Sequence, residues 1–344
     1  MNLVKFKEYY IPLIGAEVID DNFNCPLTSD KKINGLTKVK LQTEIVKRFY
    51  VEPFKQAVIN NDKTALLSLI NEMLNNAVEL GFKIAKKWLN TDVLPYSIGN
   101  NKIGNDTLVF NCSTALLCPS ALKGHCNVCK ACYAVNNEVV YGMPFVRNLL
   151  SLKRLLTVNI DILIVNTIKL ISIDSQKKDG KKAKEALFIR FNGNGDILDS
   201  QMLLDINKFA KSLINDSTNN LKIAYTYTHN KDIDISIADS ITFNISYKTD
   251  KQGKKTIVAF KWDKAYLDNS KYVICNGKCF NCPYCKNKDD KRTVVFMAHG
   301  GGFKGLDMLP DGLIDVLNQQ KAFDWAKFNA QLVNPSNKQL SDFL

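Results

Sequence analysis

Nine of the ten cysteines in this chain fall into two short groups, a pattern that indicates metal chemistry. The first cysteine group consists of Cys112, Cys118, Cys126, Cys129 and Cys132, and the second cysteine group consists of Cys275, Cys279, Cys282 and Cys285. Four thiolates bind zinc in a tetrahedral site, and four thiolates also bind a four-iron four-sulfur (4Fe-4S) cluster. The spacing therefore predicts metal ligands and leaves the choice between zinc and iron–sulfur open. We expect every member of both groups to be a ligand except Cys112, which is left open.

The rest of the chain argues against a disulfide framework. Its first residues, "MNLVKFKEYYIPLIG", carry scattered charges and lack the continuous apolar segment of a secretory signal. The most apolar stretch, residues 155–171, is interrupted by polar and charged side chains, which favours a buried helix over a membrane span. We therefore expect a cytoplasmic protein with reduced thiols and no membrane partner, in which Cys25 is an ordinary buried thiol.

A glycine turn, "NGNGD" at residues 192–196, is the second candidate for chemistry. Leu198 stands where a dinucleotide fingerprint needs its third glycine, and Ile197 likewise excludes a calcium-binding loop. Two interpretations stay open: the glycines let a ligand approach the backbone while Asp196 binds its ammonium group, or the turn merely joins a strand to a helix. On the turn alone the second interpretation is favoured. The candidate cofactor-binding residues of this turn are Asn192, Gly193, Gly195 and Asp196.

The elements that must position these residues follow from the hydrophobic pattern. Six apolar runs predict strands: "TLVF", "ALFIRF", "KIAYTYT", "SITFNIS", "TIVAF" and "TVVFMA". Helical periodicity is present in residues 63–89, 144–173 and 200–214, the last with Asp199 or Ser200 as its cap. Strands alternating with helices predict an α/β fold, either a parallel sheet or a partial (β/α) barrel.

The chain has 344 residues, of which 46% are apolar, so it can bury a full core. We expect a mostly helical N-terminal region over 1–100, a cysteine-rich α/β core over 101–305 and a helical tail over 306–344. Chemistry in α/β folds collects where the parallel strands end. The first cysteine group, the glycine turn and "THN", which contains His229, each follow a predicted strand. We expect all three on one edge of the sheet.

Several short motifs occur in the order found in a known family. They are "CP…C…CYA", then "RN" at Arg147 and Asn148, a strand ending in "GD", then "YT", and a late cysteine knuckle before "AHG". In these motifs, over roughly residues 105–305, the chain resembles the gene product 88 domain of phages and plasmids. The resemblance implies a phage or plasmid origin, with the host cytoplasm as location. That family has no established biochemical activity, so the resemblance implies no reaction.

A looser similarity concerns radical S-adenosylmethionine enzymes. In those enzymes a three-cysteine loop after the first barrel strand holds a 4Fe-4S cluster with one open iron, and a glycine-rich acidic turn follows the second strand. The segment Cys126, Cys129 and Cys132 is similar to the loop, and residues 193–196 are similar to the turn. The spacing departs from the usual CxxxCxxC, because this loop is CxxCxxC.

The similarity implies further roles. Asp196 would anchor the amino group of S-adenosylmethionine, Ser246 and Lys248 would contact its ribose or carboxylate, and Tyr227 or His229 would face the substrate. We accordingly name Asp196, Tyr227 and His229 as catalytic candidates. The second cysteine group would be structural or would hold an auxiliary cluster. The simpler interpretation of each single side chain is a surface or core residue without a role.

Charge supports a competing hypothesis. The net charge is +12, and lysines cluster at residues 177–184, 251–255 and 286–292, which favours nucleic acid as a partner or a nucleic acid or nucleotide as substrate. The alternative is a zinc-binding nucleic-acid-binding protein in which both cysteine groups are structural knuckles. A lysine-rich composition also arises in AT-rich genomes, so charge carries limited weight.

Overall fold

The computed structural model describes residues 38–85, 88, 91–99, 103–125, 132–176, 186–246, 253–259, 261–275, 277, 279–297, 299–300, 303–304 and 309–333. The predictions for Cys25, Cys126, Cys129, Lys248 and the lysine-rich segment 177–184 lie outside the described residues. Within the described residues, no helix is both long and apolar enough to cross a membrane.

The described helices surround a central sheet. They are α1 (Lys38–Ile45), a π-helical turn (Val46–Tyr50), α2 (Val51–Ile59), α3 (Lys63–Glu79), α4 (Pro119–Leu122), α5 (Tyr133–Tyr141), α6 (Met143–Thr157), α7 (Ile160–Gln176), α8 (Ser200–Asn215) and α9 (Leu313–Val333). The predicted cap of α8 is confirmed, because the Asp199 carboxylate accepts a hydrogen bond from the Met202 amide at 2.8 Å. The stretch predicted as one helix over 144–173 is two helices, since the chain is extended at Val158.

Eight strands form one sheet in the order β1-β2-β3-β4-β5-β6-β8-β7. They are β1 (Tyr96–Ile98), β2 (Thr107–Phe110), β3 (Phe188–Phe191), β4 (Ile223–Thr228), β5 (Ile241–Ile245), β6 (Lys254–Ala259), β7 (Tyr272–Cys275) and β8 (Thr293–Met297). Only β1 pairs antiparallel to its neighbour, and all other pairs in this sheet are parallel. A small antiparallel pair, β9 (His299–Gly300) and β10 (Phe303–Lys304), lies apart. The predicted α/β class and all six predicted strands are confirmed, whereas β1 and β7 were not predicted.

The sheet has two differently covered faces. Alternate residues such as Ile189 and Phe191 pack into the main core together with helices α1–α4 and α6–α8. Their neighbours Phe188 and Tyr225 point to the other side and pack against Phe328 of α9. We call this second side, lined by α9 and the second cysteine group, the tail-side face.

The pairing of β1 with β2 crosses the domain boundary expected near residue 100. The expected boundary separates β1 from β2, yet these two strands are paired from Tyr96 opposite Phe110 to Ile98 opposite Leu108. Helices α1–α3 also share the main core with the sheet, since Leu41, Phe54 and Ile70 belong to the same buried cluster. In the described part of the N-terminal region, α1–α3 and β1 therefore pack with the sheet, and the expected division into three parts stays a prediction.

Candidate functional site

The carboxylate of Asp196 joins three segments at the carboxyl ends of neighbouring strands. Its Oδ2 accepts hydrogen bonds from the Ser120 hydroxyl at 2.6 Å and from the His229 amide at 2.8 Å. Its Oδ1 accepts from the Thr228 hydroxyl at 2.9 Å and from the Ile197 amide at 2.8 Å. The side chain is only 1% exposed. Asp196 thus ties the loop after β2 to the turn after β3 and to the end of β4.

Four donors fill the acceptor sites of this carboxylate, since two carboxylate oxygens offer about four lone-pair sites. Direct binding of a cofactor ammonium by Asp196, the role expected from the sequence, would require one of these donors to leave. The prediction that Asp196 binds a ligand remains a prediction. What the geometry establishes is that Asp196 positions its neighbours.

The glycine turn lies against protein backbone. Gly195 has φ of +70°, and a Cβ placed there would lie 2.3 Å from the Ser113 hydroxyl oxygen. A Cβ on Gly193 would lie 3.0 Å from Val109. Asn192, at φ of +54°, accepts a hydrogen bond from the Cys112 amide at 3.2 Å. The glycines therefore allow close packing of the loops after β2 and β3, and their predicted contact with a cofactor is untested.

A second buried carboxylate, Glu138 on α5, organises the same edge. It accepts hydrogen bonds from the amides of Ala115 at 2.9 Å and Leu116 at 3.1 Å. The side-chain amides of Asn148 and Asn194 donate to the same carboxylate at 2.8 and 3.2 Å. Burial raises the pKa of Glu138, and these donors oppose that rise by stabilising the charged form.

Together the two carboxylates hold the segment that carries Cys118. Glu138 binds the amides just before this cysteine, and Asp196 binds the Ser120 hydroxyl just after it. Burial raises the pKa of the Cys118 thiol, the charge of Asp196 adds to the rise, and the amides of Ala121 and Ser120 lower it by donating to the sulfur. The position of Cys118 is thereby fixed by two buried groups on other elements.

The described members of the first cysteine group occupy different environments. Cys118 and Cys132 are half-buried, and the two thiols are close enough for Cys132 to influence the pKa of Cys118. Cys118 and Cys132 each directly precede a helix, α4 and α5 respectively. Cys112 is completely buried in the main core, where burial raises the pKa of its thiol. Cys112 thus has the surroundings of a structural thiol.

The other predicted site residues separate into two places. The His229 amide contacts Asp196, and burial lowers the pKa of the His229 imidazole while the charge of Asp196 opposes this. The Ser246 hydroxyl is 2.7 Å from that of Thr256 and so bridges β5 and β6 at the same edge. Tyr227 instead belongs to the tail-side face and donates its hydroxyl to the Cys285 thiol. The structure therefore groups His229 with Asp196 and groups Tyr227 with the second cysteine group.

The second cysteine group surrounds a cavity of about 20 Å³ on the tail-side face, and all four of its thiols line that cavity. Burial raises the pKa of Cys282 to about 11 and that of Cys285 to about 12, and the neighbouring thiols of the group add to both rises. Among the described side chains, no group of three or more His, Cys, Asp or Glu is arranged to hold a metal ion.

The chain is an α/β protein. At the carboxyl ends of its parallel strands, Asp196 and Glu138 form a buried polar network beside the segment that carries Cys118. No family model, curated protein or solved structure matches it. The resemblance to the gene product 88 domain and the similarity to radical S-adenosylmethionine enzymes therefore remain predictions from short motifs.

Sequence reasoning did not identify Glu138 or Asn111 as site residues. Asn111 follows β2 directly, donates to Asn148 at 3.0 Å and accepts from the Asn194 amide at 2.9 Å. The position of Asn111 directly after a buried strand indicates a place at the functional edge of the sheet, because polar residues at the ends of parallel strands gather at one edge. Glu138 had no comparable signal, since a glutamate within a helix is usually solvent-exposed.

Proposed function

We propose that the chain is an iron–sulfur enzyme that binds S-adenosylmethionine at the carboxyl edge of its sheet, in the manner of radical S-adenosylmethionine enzymes. The observation that carries this proposal is the hydrogen bond of 2.6 Å between Ser120 and Asp196, which joins the cysteine loop after β2 to the glycine turn after β3. Chemistry in α/β folds gathers at this edge. A nucleotide or nucleic acid is the proposed class of substrate, in keeping with the net charge of +12.

The strand order supports the same proposal. The strands β2, β3, β4, β5 and β6 are parallel neighbours in chain order, and β8, which follows β7 in the chain, pairs parallel with β6. Sequential parallel strands are the arrangement of a (β/α) barrel, and we propose a partial barrel as the finer description of the sheet. The carboxyl ends of these strands would form the rim of the site.

The proposed ligands are Cys126, Cys129 and Cys132, and Cys118 lies beside Cys132. When bound, a 4Fe-4S cluster with one open iron supplies the electron that cleaves the sulfonium of S-adenosylmethionine. The protein residues position and enclose the reactants. Asp196 and Glu138 fix the cysteine loop, and His229 lies next to Asp196 at the rim. Contacts of Ser246 and Lys248 with the cofactor belong to the proposal.

Anaerobic purification followed by metal and sulfide analysis tests the proposal. We expect a brown protein with iron and sulfide in near-equal amounts that cleaves S-adenosylmethionine to 5′-deoxyadenosine and methionine in the presence of dithionite. The matched control is Cys112→Ala, whose thiol lies in the core, and it should retain iron and cleavage. A protein that contains only zinc, or that holds iron without any cleavage, would contradict the proposal.

Binding of a polyanion is a second candidate function, favoured by one cavity. A cavity of about 270 Å³ lies at the amino ends of β4 and β5, opposite the edge that carries Asp196. Three lysines and one aspartate line it, Lys211, Lys222, Lys288 and Asp239, together with the buried Lys286, whose ammonium lies 3.8 Å from an Asp106 oxygen. This excess of positive charge suits phosphate groups, as in the zinc-binding nucleic-acid-binding alternative.

Titration with single-stranded DNA at several salt concentrations tests the second candidate. Lys222→Ala should weaken binding and reduce its salt dependence, because one phosphate contact is lost. The control Lys271→Ala removes an exposed lysine that lies elsewhere and is paired with Asp268, and it should bind as the unmodified protein does. Equal affinities for the two variants would contradict a role of this cavity.

A further inference from the structure

The four cysteines of the second cysteine group line one cavity. Cys275 ends β7, and the remaining three cysteines come from a loop held on β5 by hydrogen bonds. The Asn244 side-chain amide donates to the Cys285 carbonyl at 3.0 Å, and the Thr242 hydroxyl donates to the Lys286 carbonyl at 3.4 Å. The chain thus brings four thiols from separate turns to one place.

Hydrogen-bond donors and positive charges surround these sulfur atoms. The Gly277 amide donates to Cys275, and the Tyr284 amide donates to Cys282. The Tyr227 hydroxyl donates to Cys285. Lys286 and Lys321 also line the cavity. Donors and cations around sulfur stabilise thiolates, which are the metal-binding form.

Two polar groups at the cavity make no hydrogen bond within the described residues, and they point independently to a bound group. They are the Tyr225 hydroxyl and the Lys286 ammonium, and the two residues are only 1% and 2% exposed, respectively. The ammonium lies 3.8 Å from the centre of the Phe188 ring and 3.8 Å from an Asp106 oxygen. A buried polar group without a hydrogen bond destabilises the fold, so such groups usually have a hydrogen-bond partner.

The acceptors that each metal group brings favour a cluster over a single zinc ion. A zinc ion bound by four thiolates brings no acceptor of its own. A 4Fe-4S cluster contains sulfides in addition to the four thiolates, and these are further acceptors for the two buried donors, the Tyr225 hydroxyl and the Lys286 ammonium.

We propose that the second cysteine group binds a 4Fe-4S cluster in which each iron has one of the four thiolates, Cys275, Cys279, Cys282 and Cys285. The cluster's own sulfides are acceptors for the Tyr225 hydroxyl and the Lys286 ammonium. All four irons have protein ligands, so this cluster has no open position for S-adenosylmethionine. The inference is independent of the proposed function, which concerns the first cysteine group at the edge of the sheet.

Removing the first cysteine group isolates the proposed cluster. In the triple variant Cys126→Ala, Cys129→Ala, Cys132→Ala, purified anaerobically, we expect about four irons and four sulfides per chain. Adding Cys282→Ala to this variant should remove the remaining iron, whereas adding Cys112→Ala should not. A triple variant that contains zinc without iron, or contains no metal, overturns the inference. If the proposed function fails because the first group binds no cluster, the triple variant still retains its iron.

Tyr227→Phe tests the inference in the otherwise unmodified chain and removes one hydroxyl group only. The variant should keep its iron, and the reduction potential of one cluster should become more negative, because a hydrogen bond to a ligand sulfur is lost. The matched control Tyr272→Phe changes a tyrosine that packs with Tyr266 away from the thiols, and its potential should not change. A potential unaltered by Tyr227→Phe would contradict Cys285 as a ligand.

Discussion

Ser113 and Asp196 exchange two hydrogen bonds through one hydroxyl group. The Ser113 hydroxyl donates to the Asp196 carbonyl at 2.7 Å and accepts from the Asp196 amide at 2.9 Å. The loop after β2 is thereby fixed to the backbone of the turn after β3, separately from the contacts of the Asp196 carboxylate. Backbone and side chain of the same residue therefore connect the two loops.

The close approach to Ser113 predicts that Gly195 cannot be replaced. Gly195→Ala should lower the free energy of unfolding by about 2–5 kcal/mol, because a positive φ costs about 1–2 kcal/mol and overpacking adds about 1–3 kcal/mol. Gly124→Ala is the control, since Gly124 has φ of +71° and no atom within 4 Å of an added Cβ. Gly124→Ala should lower the free energy of unfolding only by the cost of the positive φ, about 1–2 kcal/mol. Equal losses of unfolding free energy for the two variants in urea titrations would contradict the packing argument.

The carboxylate of Asp196 is expected to be among the most important polar groups for stability. Asp196→Ala leaves two hydroxyls and two amides without their acceptor, and should lower the free energy of unfolding by about 3–5 kcal/mol. The control Asp199→Ala removes only the cap of α8 and should cost about 1 kcal/mol. Urea titrations of both variants measure the difference, and similar values would show that the network is not cooperative.

The sheet was largely predictable from the sequence because its strands are buried on both faces. "TLVF" coincides with β2, and its residues 107–110 are all buried. Such runs stand out in any sequence, because both alternating faces are apolar. Strand β1 at the edge is short and only partly buried, with the pattern "YSI", so it carries no comparable signal.

The site was predictable only in part. Thiol spacing is visible in the sequence, and Cys275, Cys279, Cys282 and Cys285, which it groups, line one cavity, while their role as metal ligands stays a prediction. Which face of a strand a side chain occupies depends on register, and Tyr227 therefore contacts Cys285 while its neighbour Thr228 contacts Asp196. Long-range partners such as Glu138 and Ala115 are brought together by tertiary packing, which no local pattern encodes.

Replacing the carboxylate of Glu138 by the amide of glutamine should destabilise the fold. Every described hydrogen-bond partner of its carboxylate is a donor, so the amino group of Glu138→Gln would face a donor in either orientation. We expect a loss of about 2–3 kcal/mol in the free energy of unfolding. Glu52→Gln is the control, because Glu52 is exposed on its helix, where its carboxylate accepts from the Gln56 side chain at 2.8 Å and lies 3.8 Å from the Lys55 ammonium. A neutral effect of Glu138→Gln in urea unfolding would contradict the assigned hydrogen-bond directions.

Asp239 is expected to make stability depend on pH. Hydrogen bonds from Asn207 and Ser240 lower the pKa of Asp239 from 3.8 to about 2. Because the pKa is lower in the folded state, this group stabilises the fold above pH 4, and the contribution is lost as the pH falls towards 2. The side chain is 59% exposed, so solvent screening limits the effect to at most about 1 kcal/mol. The difference between the unmodified protein and Asp239→Asn in urea unfolding should narrow over this range, and a constant difference would contradict the assignment.

Cys118 decides whether the first cysteine group has an open coordination position. Its thiol lies near Cys132, and the Ser120 and Ala121 amides donate to its sulfur as amides also do to Cys275 and Cys282, so these donors do not decide its role. The proposed function requires an open iron and therefore three cysteine ligands. Three cysteines, Cys126, Cys129 and Cys132, suffice for a cluster with one open iron, whereas a fourth thiolate would close it. We therefore expect Cys118→Ala to retain iron and the cleavage of S-adenosylmethionine.

The matched comparison is Cys132→Ala, which should lose the iron of the first group together with cleavage. The two cysteines are similarly exposed, so a general effect of removing a half-buried thiol would appear in both variants. If Cys118→Ala loses iron as completely as Cys132→Ala does, the site has four thiolate ligands. A closed site of that kind cannot bind the sulfonium cofactor at an iron, and the zinc-binding or purely structural interpretation of the first cysteine group would then be favoured.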